Sequence, residues 1–268
     1  MDILKASSPP LIIPERKIVV SWSPKSGCTH VIVWFFLKTG QLQKANAYHA
    51  WPHNYRVDVY QKSSDYKKYI QEFQESGGEG YTHIKITRDP TKRLVSIFRH
   101  VCRHTFMHRE FARKLKLNAQ QDGVSLLDFC RYLEGKNLIR PSSVNPHLCA
   151  QTHSIWDLPF DRTITLNMDQ IDLNMGINVI EREFDMGETC FSEIPKFDRV
   201  REKHYAKNGK YTGTKPIEKH RFLPSETLNF PKRQLAESVL LQQMAREFYA
   251  ADFGKVDTGD TAGRIFTV

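Results

Sequence analysis

Apolar and β-branched residues crowd the stretch Lys17-Ile18-Val19-Val20-Ser21-Trp22, a pattern that predicts a buried strand after an irregular lead-in marked by Pro9, Pro10 and Pro14. Thr29 to Lys38 is apolar nearly all round and predicts a helix packed inside an α/β sandwich, ending near Gly40. Strand, short glycine-bearing loop and buried helix make a first α/β unit. Alternation over Tyr81 to Thr87 predicts a second strand, set off by Gly77-Gly78-Glu79-Gly80. Asp89 then stands as an N-cap and Pro90 at the first helical position. Leu94, Val95, Phe98, Val101 and Cys102 form an apolar stripe at helical spacing, and Lys92, Arg93, Ser96, Arg99, His100 and Arg103 form the polar face.

The remaining pattern is less regular. Gln41 to Gln61 is polar and aromatic and reads as a short strand within loops; Asp65 to Glu75 predicts an amphipathic helix. Further helices are predicted over 125–133 and 171–184, a third strand over 162–166, and a last amphipathic helix from Ser225 or Lys232 to Tyr249. Residues 192–224 read as a basic, proline-bearing loop, and the tail after Gly254 as frayed. Strands alternating with helices predict an α/β fold, a P-loop-type parallel sheet flanked by helices, in one domain spanning 1–268 with its core at about 17–253.

Composition narrows the class. Sixteen Phe, ten Tyr, four Trp and 40% hydrophobic residues in a chain of 268 supply a sizeable core and argue against disorder. The longest apolar run, Val31 to Leu37, falls far short of the roughly 18 residues of a membrane span, and the start of the chain has no basic, apolar signal pattern, so a cytoplasmic location is expected. Five cysteines without metal-ligand spacing read as reduced thiols. The 39 Lys and Arg against 30 Asp and Glu, a formal +9, favour a polyanionic partner: a nucleotide, a nucleic acid or an acidic glycan.

Chemistry concentrates first in Ser23-Pro24-Lys25-Ser26-Gly27-Cys28-Thr29. A strand that runs through such a loop into a helix gathers backbone N–H groups and a positive helix end at one point, which is an anion site, and Lys25 adds a full charge. The order differs from the nucleotide-triphosphate loop, where Lys follows the second Gly; here the single Lys precedes the single Gly. A second candidate anion site pairs Arg88, at the end of the next strand, with Ser96 on the helix that Pro90 begins.

Pro24-Lys25-Ser26-Gly27-Cys28-Thr29 together with Arg88-Asp89-Pro90-x-x-Arg93-x-x-Ser96 resembles the paired signature of sulfotransferases. The resemblance implies 3′-phosphoadenosine 5′-phosphosulfate as co-substrate, with Lys25, Ser26, Gly27, Cys28 and Thr29 on its 5′-phosphosulfate and Arg88 and Ser96 on its 3′-phosphate; sulfuryl transfer requires no metal, and the His and Cys spacings do not argue for one. Asn145-Pro146-His147-Leu148-Cys149-Ala150-Gln151 and Phe248-Tyr249-Ala250-Ala251-Asp252-Phe253 resemble the carbohydrate branch of that family, with Leu148 and Ala150 departing from its usual Trp and Pro. A hydroxyl acceptor, a carbohydrate or glycolipid, is thereby implied.

Sulfuryl transfer needs a cation on the leaving oxygen, the role read for Lys25, and a base for the acceptor hydroxyl. Relatives place a base between the two donor motifs, which points to His49 and His53, with His147 next; His100 and His104 follow Ser96 at helical spacing and rank below them. Two other classes stay open. An ATP-dependent phosphotransferase on an atypical loop lacks the Gly-Lys order and an acidic metal ligand, and a non-catalytic nucleic-acid-binding protein lacks any standard module.

Overall fold

A computed structural model describes residues 8–104, 107–139, 144–198, 207–256 and 260–261. The chain packs as two compact units: the first comprises described residues within 8–88, 151–198 and 254–261, the second those within 89–150 and 207–253.

The first unit is built on a five-stranded sheet of order β1-β2-β3-β4-β7. Its strands are β1 (Leu11–Ile13), β2 (Ile18–Ser21), β3 (Thr82–Thr87), β4 (Arg162–Asn167) and the short β7 (Asp260–Thr261). β2, β3 and β4 run parallel, with Ile18 beside Thr82 and Thr82 beside Arg162, and β7 runs parallel to β4. This is the parallel α/β sheet that the sequence pattern predicts. The lead-in read as irregular is instead strand β1, antiparallel to β2 through Leu11↔Val20 and Ile13↔Ile18. Its prolines flank the paired residues and leave them free to join the ladder.

Helices of the first unit are α1 (Cys28–Lys38), α2 (Leu42–Tyr48), α3 (Pro52–Asp58), α4 (Ser64–Ser76) and, after those of the second unit, α8 (Leu173–Glu183). α1 is the apolar helix expected, with Val31 to Phe36 fully buried. The strand expected within 41–61 does not form. Pro52 opens α3 at its first turn, Ala45 and Tyr55 turn inward, and the aromatic residues that suggested a strand pack as helix faces, Phe36 against Tyr55 and Tyr60. α4 starts on the Ser63 cap and stops at Gly77 with φ 62°.

The second unit is helical: α5 (Pro90–Arg103), α6 (His108–Leu115), α7 (Leu126–Leu133), α9 (Lys232–Glu237) and α10 (Val239–Phe248), with β5 (Lys207–Asn208) and β6 (Asn229–Phe230) paired as a two-stranded sheet. Asp89 caps α5, its carboxylate accepting from the Lys92 N–H at 2.8 Å, and Ser125 and Asp128 form a reciprocal capping box on α7. The last helix is two helices, because Ser238 caps α10 and ends α9. Leu94, Phe98, Phe129, Leu235 and Met244 share the core of this unit. Arg93, read as part of the polar face of α5, is buried: its guanidinium donates to the Cys149 carbonyl at 2.6 Å and lies 3.7 Å from the buried Asp252 carboxylate. Of the basic stretch 192–224, residues 199–206 lie outside the described residues.

Candidate active site

β2 delivers the chain into the loop Ser23–Gly27, where the Ser26 N–H donates to the Ser23 carbonyl at 3.2 Å. Lys25 and Gly27 both turn left-handed, at φ 71° and 69°. Glycine adopts that angle without strain at 27, and an added Cβ there would come within 3.1 Å of the Leu173 side chain. Lys25 has no such freedom, and holding it there costs about 1 kcal/mol or more. Gly27 is the N-cap of α1 and no side chain caps that end, so the first-turn N–H groups and the positive end of the helix face the loop. The loop thus has two elements of an anion cradle, backbone donors and a helix terminus, and carries Lys25 in its turn.

Arg88, at the end of β3, is joined to this loop. Its Nη1 donates to the Lys25 carbonyl at 3.0 Å, and its Nε lies 3.8 Å from the Asp169 carboxylate. The fully buried Gln151 binds both segments: Oε1 accepts from the Ser26 hydroxyl at 3.0 Å and from the Arg88 N–H at 2.9 Å, and Nε2 donates to the Arg88 carbonyl at 2.7 Å. Neither Asp169 nor the bonding of Gln151 is visible in the sequence, because each depends on a contact across the fold; the one available signal was the place of Gln151 at the end of its motif.

Among the histidines the structure separates the candidates. His53, in α3, lies with Nε2 3.2 Å from the Thr29 hydroxyl in the first turn of α1. Trp51 stacks on its ring at 5.3 Å, Trp22 meets it edge-on at 5.9 Å, and the Arg56 guanidinium lies over Trp22 at 4.9 Å. His49 uses Nδ1 to accept the Trp51 N–H at 2.8 Å, a local turn bond. His147 belongs to the second unit, where Asn145 Oδ1 lies 2.9 Å from its Nδ1 and its ring stacks on His100 at 4.1 Å, with His104 packed on His100 in turn. Ser96 is half-buried on α5 in that unit. From the basic segment, Lys196 donates to the Ala50 carbonyl, and Arg221 lies 3.4 Å from Asp128.

A buried polar network on β2 and β3 has no counterpart in the sequence pattern. Ser21 Oγ accepts from Trp156 Nε1 at 2.9 Å and lies 2.6 Å from His83 Nε2, and the buried Lys85 ammonium donates to the Lys255 carbonyl and sits over Trp156. Burial, reinforced by Lys85 and His153, pulls the His83 imidazole down to about 3, and burial pulls His153 down to about 4. Burial thus keeps both rings neutral near pH 7.

The arrangement is suited to holding an anionic group at the N-terminus of α1, with an imidazole within reach of the same helix turn. No curated protein and no solved structure matches the chain. The model of the sulfotransferase family matches residues 10–254, a span that contains the loop, Arg88, His53 and Gln151, and the chain therefore belongs to the sulfotransferase family.

Proposed function

We propose that this sulfotransferase takes its sulfuryl group from 3′-phosphoadenosine 5′-phosphosulfate and passes it to the hydroxyl of a carbohydrate or glycolipid, with residues 1–268 forming one sulfotransferase-like domain in the cytoplasm. What supports the donor is the bond from Arg88 to the Lys25 carbonyl, which holds a guanidinium beside an anion-binding loop. Such a pair offers one anion subsite at the loop and one at the guanidinium, for a nucleotide with anionic groups at both its 5′ and 3′ ends.

In this reading Lys25, Ser26, Gly27, Cys28 and Thr29 surround the 5′ end. Arg88 takes the 3′-phosphate, and Ser96 is assigned to the same phosphate by sequence resemblance. The donor supplies the activated sulfuryl group and its phosphate leaving oxygen. The Lys25 ammonium and the first N–H groups of α1 stabilise the charge that grows on that oxygen. His53 is the first choice for base: its ring lies between two tryptophans with Nε2 3.2 Å from the Thr29 hydroxyl, and when that hydroxyl turns to the 5′ end of the donor the Nε2 lone pair is open to take the acceptor proton. His49 and His147 remain the other candidates.

The test is transfer of radiolabelled sulfate from the donor to a panel of oligosaccharides, glycolipids, phenols and small alcohols, run beside thermal shifts with 3′-phosphoadenosine 5′-phosphate and with ATP and magnesium. Labelled glycan and a shift with the bisphosphate are expected. Stabilisation by ATP and magnesium alone would overturn the donor, and label only in phenol or alcohol would overturn the acceptor.

A further inference from the structure

Gln151 closes a motif to which the donor reading gives no task, and its amide is used from both ends. The Arg88 peptide needs an acceptor for its N–H and a donor for its carbonyl, and the Gln151 amide supplies both, at 2.9 and 2.7 Å. Neither a carboxylate nor an apolar side chain offers that pair of groups. The same Oε1 also accepts from Ser26, whose oxygen in turn accepts from the Ser23 hydroxyl at 3.0 Å. The one proton of the Ser26 hydroxyl is therefore committed to Gln151 and points into the protein.

We infer that Gln151 is a positioning residue that fixes the loop and Arg88 at one separation, so that a nucleotide with anionic groups at both ends engages the two together. This rests on the donor reading above. When two subsites are rigidly spaced, the second contact is intramolecular and its ordering cost is met in advance. Loosening the spacing weakens a ligand that needs both subsites and spares a ligand that uses one. On the same argument the Ser26 hydroxyl acts through Gln151, while Ser26 stays among the loop residues that surround the 5′ end.

The test is the affinity of 3′-phosphoadenosine 5′-phosphate, adenosine 5′-phosphate and adenosine 3′-phosphate, measured by calorimetry on wild type, Gln151→Ala and Ser26→Ala, with thermal unfolding of each. In both variants the bisphosphate is expected to weaken by ~30-fold and each monophosphate by less than ~3-fold, within the usual range of coupling between sites. Ser26→Ala leaves the Gln151 pairing with Arg88 in place, so it carries the test if Gln151→Ala does not fold. Equal losses on all three nucleotides, or no loss on the bisphosphate, would overturn the inference and leave the donor reading standing. Wild-type protein that binds none of the three would overturn both.

Discussion

The two units divide the charge of the chain unequally. Residues 89–150 and 203–253 carry 20 Lys and Arg against 10 Asp and Glu, whereas the rest carries 19 against 20. The overall +9 therefore says little about the loop, which sits in a unit of nearly balanced charge. Two arginines five residues apart make the contrast concrete. Arg93, in the helical unit, is 1% exposed, and it is bound by Asp252 and the Cys149 carbonyl and lies over the Tyr249 ring. Arg88, in the sheet unit, keeps 23% of its side chain exposed while bonded to the loop. One guanidinium is consumed by the fold, and the other is held with part of its surface exposed. Position in the core, and not residue type, separates the two uses.

The largest effect expected from breaking this contrast is on the buried side. Arg93→Ala strands the Asp252 carboxylate and should cost about 3–5 kcal/mol of stability, read as a fall in Tm on the order of 10 °C. Lys25→Ala should lower kcat by about 100- to 1000-fold, close to the loss seen when a transition-state donor is removed, with Tm little changed; a loss confined to KM would remove its assignment to the leaving oxygen. Arg88→Ala should weaken 3′-phosphoadenosine 5′-phosphate by roughly 10- to 100-fold while stability stays within about 1 kcal/mol, since its charged bonds are made at a part-exposed site. An Arg88 variant that unfolds like Arg93→Ala would erase the distinction between them.

A different kind of effect, spread over several pH units, is on acid stability. His83 and His153 titrate near 3 and 4 in the folded protein and near 6.5 when unfolded, so below pH 6.5 the unfolded chain binds more protons than the native one. Stability is then full above about pH 6.5 and falls as the pH drops toward 4, by up to about 1.4 kcal/mol per pH unit for each ring. Denaturant unfolding followed from pH 7 to pH 4 should show that slope, and His153→Gln should reduce it. A flat profile would mean that neither ring is neutral because of burial.

Much of the sheet unit was legible in the chain. Ile18 to Ser21 and Thr82 to Thr87 pair side by side in parallel, and both read as strands because their periodicity is local. The loop was legible for the same reason, since its glycine, lysine and following helix are neighbours in sequence. What stayed hidden depends on partners far along the chain. Leu11–Ile13 is a strand only because β2 lies beside it, and Arg93 sits at a polar-face position but is drawn inward by Asp252, 159 residues away. The aromatic residues of 41–61 suggested a strand where Pro52 and Tyr55 belong to a helix. Among the histidines, sequence spacing left His49 and His53 equal, and only folding of α3 against α1 brings one of them to Thr29.

Lys25 sits at φ 71°, a backbone region that a non-glycine residue enters at a penalty. A search for the most stable sequence on this backbone would replace it with glycine or asparagine, both of which tolerate that angle better. On the proposal that Lys25 stabilises the leaving oxygen, a lysine in that position sets folding against use. Optimising this chain for thermal tolerance should then exempt position 25, where the stabilising substitution would also be the disabling one.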